Sequence, residues 1–166
     1  GRLKKRRQPG CTPVSVRTSQ RRSAVLAKEM EQAQLSLGFR IFGRRDSRRY
    51  ALRLLNVALG ENMSSRLFQR IREELALAYA VFSFQSFYSK AGMAGVYVGT
   101  RPEASEKALE GILAEYAKLY EDGITAAELE QAKSHAKGRS ILAMESTGAR
   151  LLRLVGFTLR GEPYRD

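Results

Sequence analysis

The stretch that most constrains the fold is residues 79–88, Tyr-Ala-Val-Phe-Ser-Phe-Gln-Ser-Phe-Tyr. Aromatic and β-branched residues in partial alternation suit a pleated, half-buried surface and predict a strand. Residues 89–92 (Ser-Lys-Ala-Gly) have turn chemistry. Residues 93–100 (Met-Ala-Gly-Val-Tyr-Val-Gly-Thr) return in kind, so the two runs are expected to form a hairpin. Gly95 and Gly99 in the returning run predict close approach of another backbone.

The other elements follow from periodicity and punctuation. Residues 34–41 alternate polar and apolar as a half-buried strand does. After a polar break at 43–46, Asp46 or Ser47 is expected to cap a helix running through Tyr50, Leu52, Leu54, Leu55, Val57 and Leu59. Gly60-Glu61-Asn62 ends it. Ser64 or Ser65 starts a second helix, with Leu67, Phe68, Ile71 and Leu75 expected on one face. Pro102 opens a third, with an expected apolar stripe of Ala108, Leu109, Ile112, Leu113, Tyr116, Leu119 and Tyr120. Asp122-Gly123 stops it. Thr125-Ala126-Ala127-Glu128 has the capping-box pattern and starts a helix to about Met144. Ser146 or Thr147 restarts the last, with Leu151, Leu152, Leu154, Val155 and Leu159. Strands joined by a hairpin and helices in pairs point to an α+β domain. Its sheet is expected to be mostly antiparallel, with paired helices packed on one face.

Charge bounds the function. The chain of 166 residues carries a net +12. Nine Lys/Arg and no acid fall in residues 1–28, so the rest carries only +3, with 20 basic and 17 acidic residues. The excess is therefore expected to be a property of a basic tail and not of a face on a fold. Residues 1–28 are poor in large apolar side chains and read as a disordered tail or linker, with 29–166 as the domain. An Arg-rich, acid-free start also resembles an organelle transit peptide. The initial Gly suggests that this is not a native N-terminus. The lone Cys11 rules out an internal disulfide and reads as an incidental thiol. No apolar run reaches the roughly 20 residues of a membrane span.

Several stretches, in this order, resemble one family: Glu31-Gln32-Ala33, LLNVALG (54–60), MSSRLFQRIRE (63–73), LAYAVFSF (77–84), AGMAGVYVGTRPE (91–103), GITAAELEQAKSHAKG (123–138), LAMEST (142–147) and RLLRLVGFTLRGEPY (150–164). They are similar to the C-terminal, non-metal module of the M16 zinc metallopeptidases (the pitrilysin, insulinase and processing-peptidase group). The resemblance covers about 31–164 and implies one half of a metallohydrolase-type pair. In the family, two α+β modules face each other across a chamber. One carries an inverted His-x-x-Glu-His zinc motif, and the other contributes an Arg and a Tyr that hold the substrate backbone. On that resemblance Arg72 and Tyr79 are the substrate-binding residues. A guanidinium offers a planar fork of donors to carbonyl or carboxylate oxygens. A phenol can donate to a scissile carbonyl or to its oxyanion. The chain departs from the family where a basic residue and a glycine usually precede Leu-Ala-Tyr. Leu75 and Ala76 stand there, and a glycine at 76 would permit positive φ. Family members also usually carry glycines before Met-Ser-Ser, where this chain has Gly60-Glu61-Asn62.

A zinc peptidase needs about three protein ligands and an open position for water. The sequence has one histidine, His135, flanked by Lys133 and Lys137, and no His-x-x-Glu-His. His135 is expected to face solvent from its helix, and no metal site or catalytic residue is expected in this chain. No P-loop, Gly-x-Ser-x-Gly or hydrolytic triad is present either. The resemblance thus implies zinc only in a partner lobe, on the same polypeptide or a separate subunit, with a peptide as substrate. The alternative is an inactive scaffold module of the same family. Nucleic-acid binding rests on the tail alone and is not expected.

Overall fold

The computed structural model describes residues 31–160, so the expected tail at 1–28, Cys11 included, lies outside the described residues. Three strands, β1 (Ala33–Phe42), β2 (Ala78–Phe87) and β3 (Ala91–Thr100), form one sheet in the order β1-β3-β2. Both pairings are antiparallel, with Leu37 opposite Val96 and Val81 opposite Val98. The hairpin expected from 79–100 is present, and the returning strand takes the centre. Alternate residues point to one face, where Val81, Val96 and Val98 are buried and Leu35 and Leu37 pack beside them. On the other face Phe82 stacks on Tyr97, ring centroids 4.9 Å apart.

The central position explains Gly95. A Cβ there would strike the Leu37 carbonyl and come within 2.7 Å of the Phe84 ring. Gly99 has no such neighbour: its nearest would be the Tyr97 hydroxyl at 3.5 Å. Of the two glycines expected to admit another backbone, only Gly95 does so.

Helix α1 (Arg49–Asn56) runs on through a wide i→i+5 turn, Val57–Glu61, and a second wide turn spans Phe68–Glu74. Helix α2 (Ser105–Asp122) follows a single tight turn at Pro102–Ala104, and α3 (Ala126–Glu145) and α4 (Thr147–Arg160) complete the described residues. Helix α2 packs on β1 and β3, the Phe68–Glu74 turn packs on β2 and α2, and α3 packs on α1, α4 and the Val57–Glu61 turn. The core joins Leu59, Leu67, Ile71, Val81, Val96, Val98, Ala108 and Ile112. A smaller cluster of Val57, Ala58 and Ala132 ties α3 to the first wide turn.

Three local expectations are corrected. Asp46 and Ser47 do not cap α1: Arg48 occupies the N-cap without a side-chain bond, and the Asp46 carboxylate instead accepts the Arg48 backbone N–H at 2.9 Å. Phe68 does not share the full burial of Leu67 and Ile71, and Leu75, although its Cδ1 lies with that of Ile71 over Gly111, is exposed at its rim. Hydrogen bonds of the i→i+5 kind put more residues in each turn, so residues four apart stay aligned while Phe68 and Ile71, three apart, diverge from one face. The buried stripe of α2 is also narrower than expected. Ala108 and Ile112 are buried, but Leu109, Leu113 and Tyr120 are exposed, and the next buried position is Glu115, which accepts from Lys118 Nζ at 2.8 Å. The capping box is as expected: Glu128 N–H donates to Thr125 Oγ1, and Thr125 N–H donates back to Glu128 Oε2 at 2.7 Å.

Candidate substrate-holding site

Arg72 sits in the wide turn Phe68–Glu74, and Tyr79 is the second residue of β2. The connection between them is short and fixed by backbone bonds. Leu75 N–H donates to the Arg70 carbonyl at 3.1 Å, and Leu77 N–H reaches back to the Ile71 carbonyl at 2.9 Å. Between these two, Ala76 has φ +48°, in the left-handed region. The turn thus ends as a helix with a left-handed C′ residue does, one residue wider because the turn itself is wide. Where a glycine would adopt this conformation freely, an alanine is held in it. The Thr100 hydroxyl donates to the Leu77 carbonyl and pins the connection to the end of β3.

Tyr79 lies at an irregularity in the sheet. Ala78 pairs with Thr100 and Ala80 with Gly99, so Tyr79 is an extra residue on β2. A β-bulge takes a side chain out of the pleat alternation and re-aims it. The Tyr79 side chain is 58% exposed, and its hydroxyl has no hydrogen-bond partner among the described residues. Arg72 is exposed too. Its guanidinium lies over the Phe68 ring, 4.9 Å from the centroid, and its acidic neighbour Glu73 stands 3.9 Å away, beyond hydrogen-bond reach. Stacking on a ring steadies the fork while leaving its donors open. The two residues flank one connection, and no hydrogen bond or ring contact joins them among the described residues.

His135 departs from expectation. It is half-buried in α3, and its Nε2 is shielded without a hydrogen-bond partner. Three or more His, Cys, Asp or Glu side chains grouped to hold a metal ion do not occur among the described residues. Zinc therefore does not fit the residues that the structure describes. No helix among them is long and apolar enough to cross a membrane.

The start of that connection is braced from below. Arg66 donates through Nε to Glu128 Oε1 at 2.5 Å, and through Nη2 to Glu128 Oε2 and the Gly123 carbonyl, both at 2.8 Å. One carboxylate thus closes the capping box of α3 and holds the segment that leads into the second wide turn. The Arg66 guanidinium beside it is the main cause that lowers the Glu128 carboxyl from 4.5 to about 2.

One feature went unread in the sequence. Six arginines fall within residues 40–53 against the single acid Asp46. The fold brings them to the end of the sheet where Lys90 also lies. Most of the positive excess still falls in residues 1–28, which carry +9 of the net +12, but the remaining +3 is unevenly spread and gathers here. The signal was a local charge count, which averaging over the whole body diluted to +3.

The sequence profile described as "Peptidase M16 inactive domain" matches residues 1–135. The chain belongs to the M16 peptidase family, as its inactive domain. This M16 module is 44% identical, over 126 residues, to the uncharacterized zinc protease YmxG of Bacillus subtilis, covering 76% of this chain and 31% of that protein. It is 36% identical to an uncharacterized zinc protease of Streptomyces coelicolor, covering 89% of this chain and 34% of the relative. Among solved structures, it resembles a peptidase M16 inactive domain from Pseudomonas fluorescens with a TM-score of 0.63 at 30% identity, covering 66% of this chain and 27% of that one. It shares its fold with a Helicobacter pylori protease, TM-score 0.74 at 24% identity, over 80% of this chain and 32% of that one. The module spans about a third of the length of the curated relatives it matches.

Proposed function

We propose that this module is the substrate-holding half of an M16 zinc peptidase, working opposite a zinc-bearing lobe. Arg72 grips the peptide backbone through its guanidinium fork, and Tyr79 donates to the carbonyl under attack. The observation that carries the reading is the bulge at Tyr79: an extra residue takes an exposed phenol, without a hydrogen-bond partner among the described residues, out of the alternation of the sheet, seven residues after an exposed, ring-stacked arginine. The left-handed geometry at Ala76 supports it as well. The connection keeps a glycine-like conformation although the glycine is gone. A scaffold role would need neither open group.

The test mixes this chain with a metal lobe of an M16 relative and follows zinc-dependent cleavage of a quenched fluorescent peptide. Removing a single oxyanion donor typically lowers kcat by about 10²–10³, so Tyr79→Phe is expected to fall by about that factor with little change in KM. Arg72→Ala is expected to raise KM as well, through loss of backbone grip. Full activity in both variants would reject the roles, and failure of every lobe pairing to cleave would favour the scaffold reading.

A further inference from the structure

The end of the sheet opposite Tyr79 carries a built cationic surface. Gly43 lets the segment after β1 lie directly on the hairpin turn: a Cβ there would come within 2.7 Å of the Lys90 carbonyl carbon. Arg44 locks this contact, its N–H donating to the Tyr88 carbonyl at 2.8 Å and its Nη2 to the Phe87 carbonyl at 2.7 Å. Arg49 donates to the Arg44 carbonyl and to the Tyr50 hydroxyl. These acceptors are neutral, so they orient the guanidinia without cancelling their charge. Aromatic rings orient others: Arg48 lies 4.7 Å over Phe42, and Arg53 5.9 Å over Phe87. Asp46 is the one acid of the segment, and Arg48 holds it through three side-chain bonds. Helix α1 also begins here with Arg48 and Arg49 and no acid in its first turn. Its dipole therefore adds to the positive field instead of being offset.

We infer that this arginine-rich end of the sheet is a docking site for an acidic stretch of a peptide substrate. The inference rests on the substrate-holding reading of Arg72 and Tyr79. Planar, pre-oriented guanidinia suit carboxylates in pairs. The position fits one extended chain. Tyr79 and the Phe87 beside the patch are eight residues apart on one strand, about 26 Å at ~3.3 Å per residue. A peptide held at Tyr79 and running along β2 reaches the patch with side chains about eight residues from the bond at Tyr79. The patch spans only the end of a three-stranded sheet, about 10 Å at ~4.8 Å between strands.

The test is a fluorescence-anisotropy titration of the full chain with three labelled probes: a glutamate-rich decapeptide, its glutamine counterpart and a ten-nucleotide RNA. Arg45→Glu with Lys90→Glu is the variant, because both side chains are exposed and neither serves the fold through a bond described above. The glutamate peptide is expected to bind at least tenfold more tightly than the glutamine peptide, to weaken as salt rises, and to lose at least tenfold in the variant. Equal binding of the two peptides, tighter binding of the RNA, or an unchanged variant would overturn the inference. So would a variant that no longer assembles with a metal lobe, since the patch would then belong to that interface. The titration needs neither zinc nor cleavage, so its failure is separate from a failure of the Arg72 and Tyr79 roles.

Discussion

Ala76→Gly should make this protein more stable, although it removes a methyl group and loosens the unfolded chain. Ala76 is held at φ +48° between the wide turn and β2. The left-handed conformation costs a residue with a Cβ about 1–2 kcal/mol. Glycine avoids that strain but gives back about 0.5–1 kcal/mol through its larger unfolded-state entropy. The difference is a gain of about 0.5–1 kcal/mol. For a chain of this size, 1 kcal/mol moves Tm by about 2–4 °C, so a rise of roughly 1–4 °C is expected. Urea unfolding followed by circular dichroism should show a higher midpoint with an unchanged slope. The control is Ala80→Gly, one residue past the bulge in regular strand, where glycine should cost about 0.5–1 kcal/mol. A midpoint that stays or falls in Ala76→Gly while Ala80→Gly behaves as stated would refute the claim that the connection is strained.

Acid should weaken the protein through Glu128. Its carboxyl is lowered in the fold from 4.5 to about 2. Its stabilisation is therefore complete above about pH 4.5 and fades as pH falls towards 2. Glu128→Gln should flatten the pH dependence of the urea midpoint in that window and cost about 1 kcal/mol at neutral pH, from the ion pair with Arg66 alone, since glutamine at this position still closes the capping box. The core offers a sign reversal. Ile71 is fully buried, and a Cβ at Gly111 would come within 2.6 Å of its Cδ1. Ile71→Ala should cost about 2–5 kcal/mol. Gly111→Ala should destabilise alone yet stabilise in the Ile71→Ala background, where the clash is gone and helix propensity returns about 1 kcal/mol. Thermal unfolding of the four proteins in this cycle measures the reversal, and simple additivity would contradict the packing.

Patterns spaced along the chain were legible, and those made in space were not. The hairpin was readable because residues 79–100 carry both strands and their turn. The capping box was readable because Thr125 and Glu128 are three residues apart. The wide turn at Phe68–Glu74 was hidden, since Leu67, Phe68, Ile71 and Leu75 spell an ordinary helical stripe. The bulge at Tyr79 was hidden because it arises from the register against Gly99 and Thr100, a partner twenty residues away. Arg72 and Tyr79 were reached by resemblance, and their openness emerged only from the fold. The arginines of 40–53 were visible as letters, but Gly43 and Lys90 had to meet before they became a surface.

The wide turn before Arg72 also makes this stretch tolerant of a change in length. An i→i+5 turn stores one residue more than the same rise of α-helix needs. Losing a single residue between Leu67 and Arg72 would let the backbone relax into ordinary winding, and the later positions of the turn would keep their direction. The guanidinium would hold its aim. Among kin of this chain, a one-codon gap at this place is therefore a change of winding that leaves Arg72 where it points.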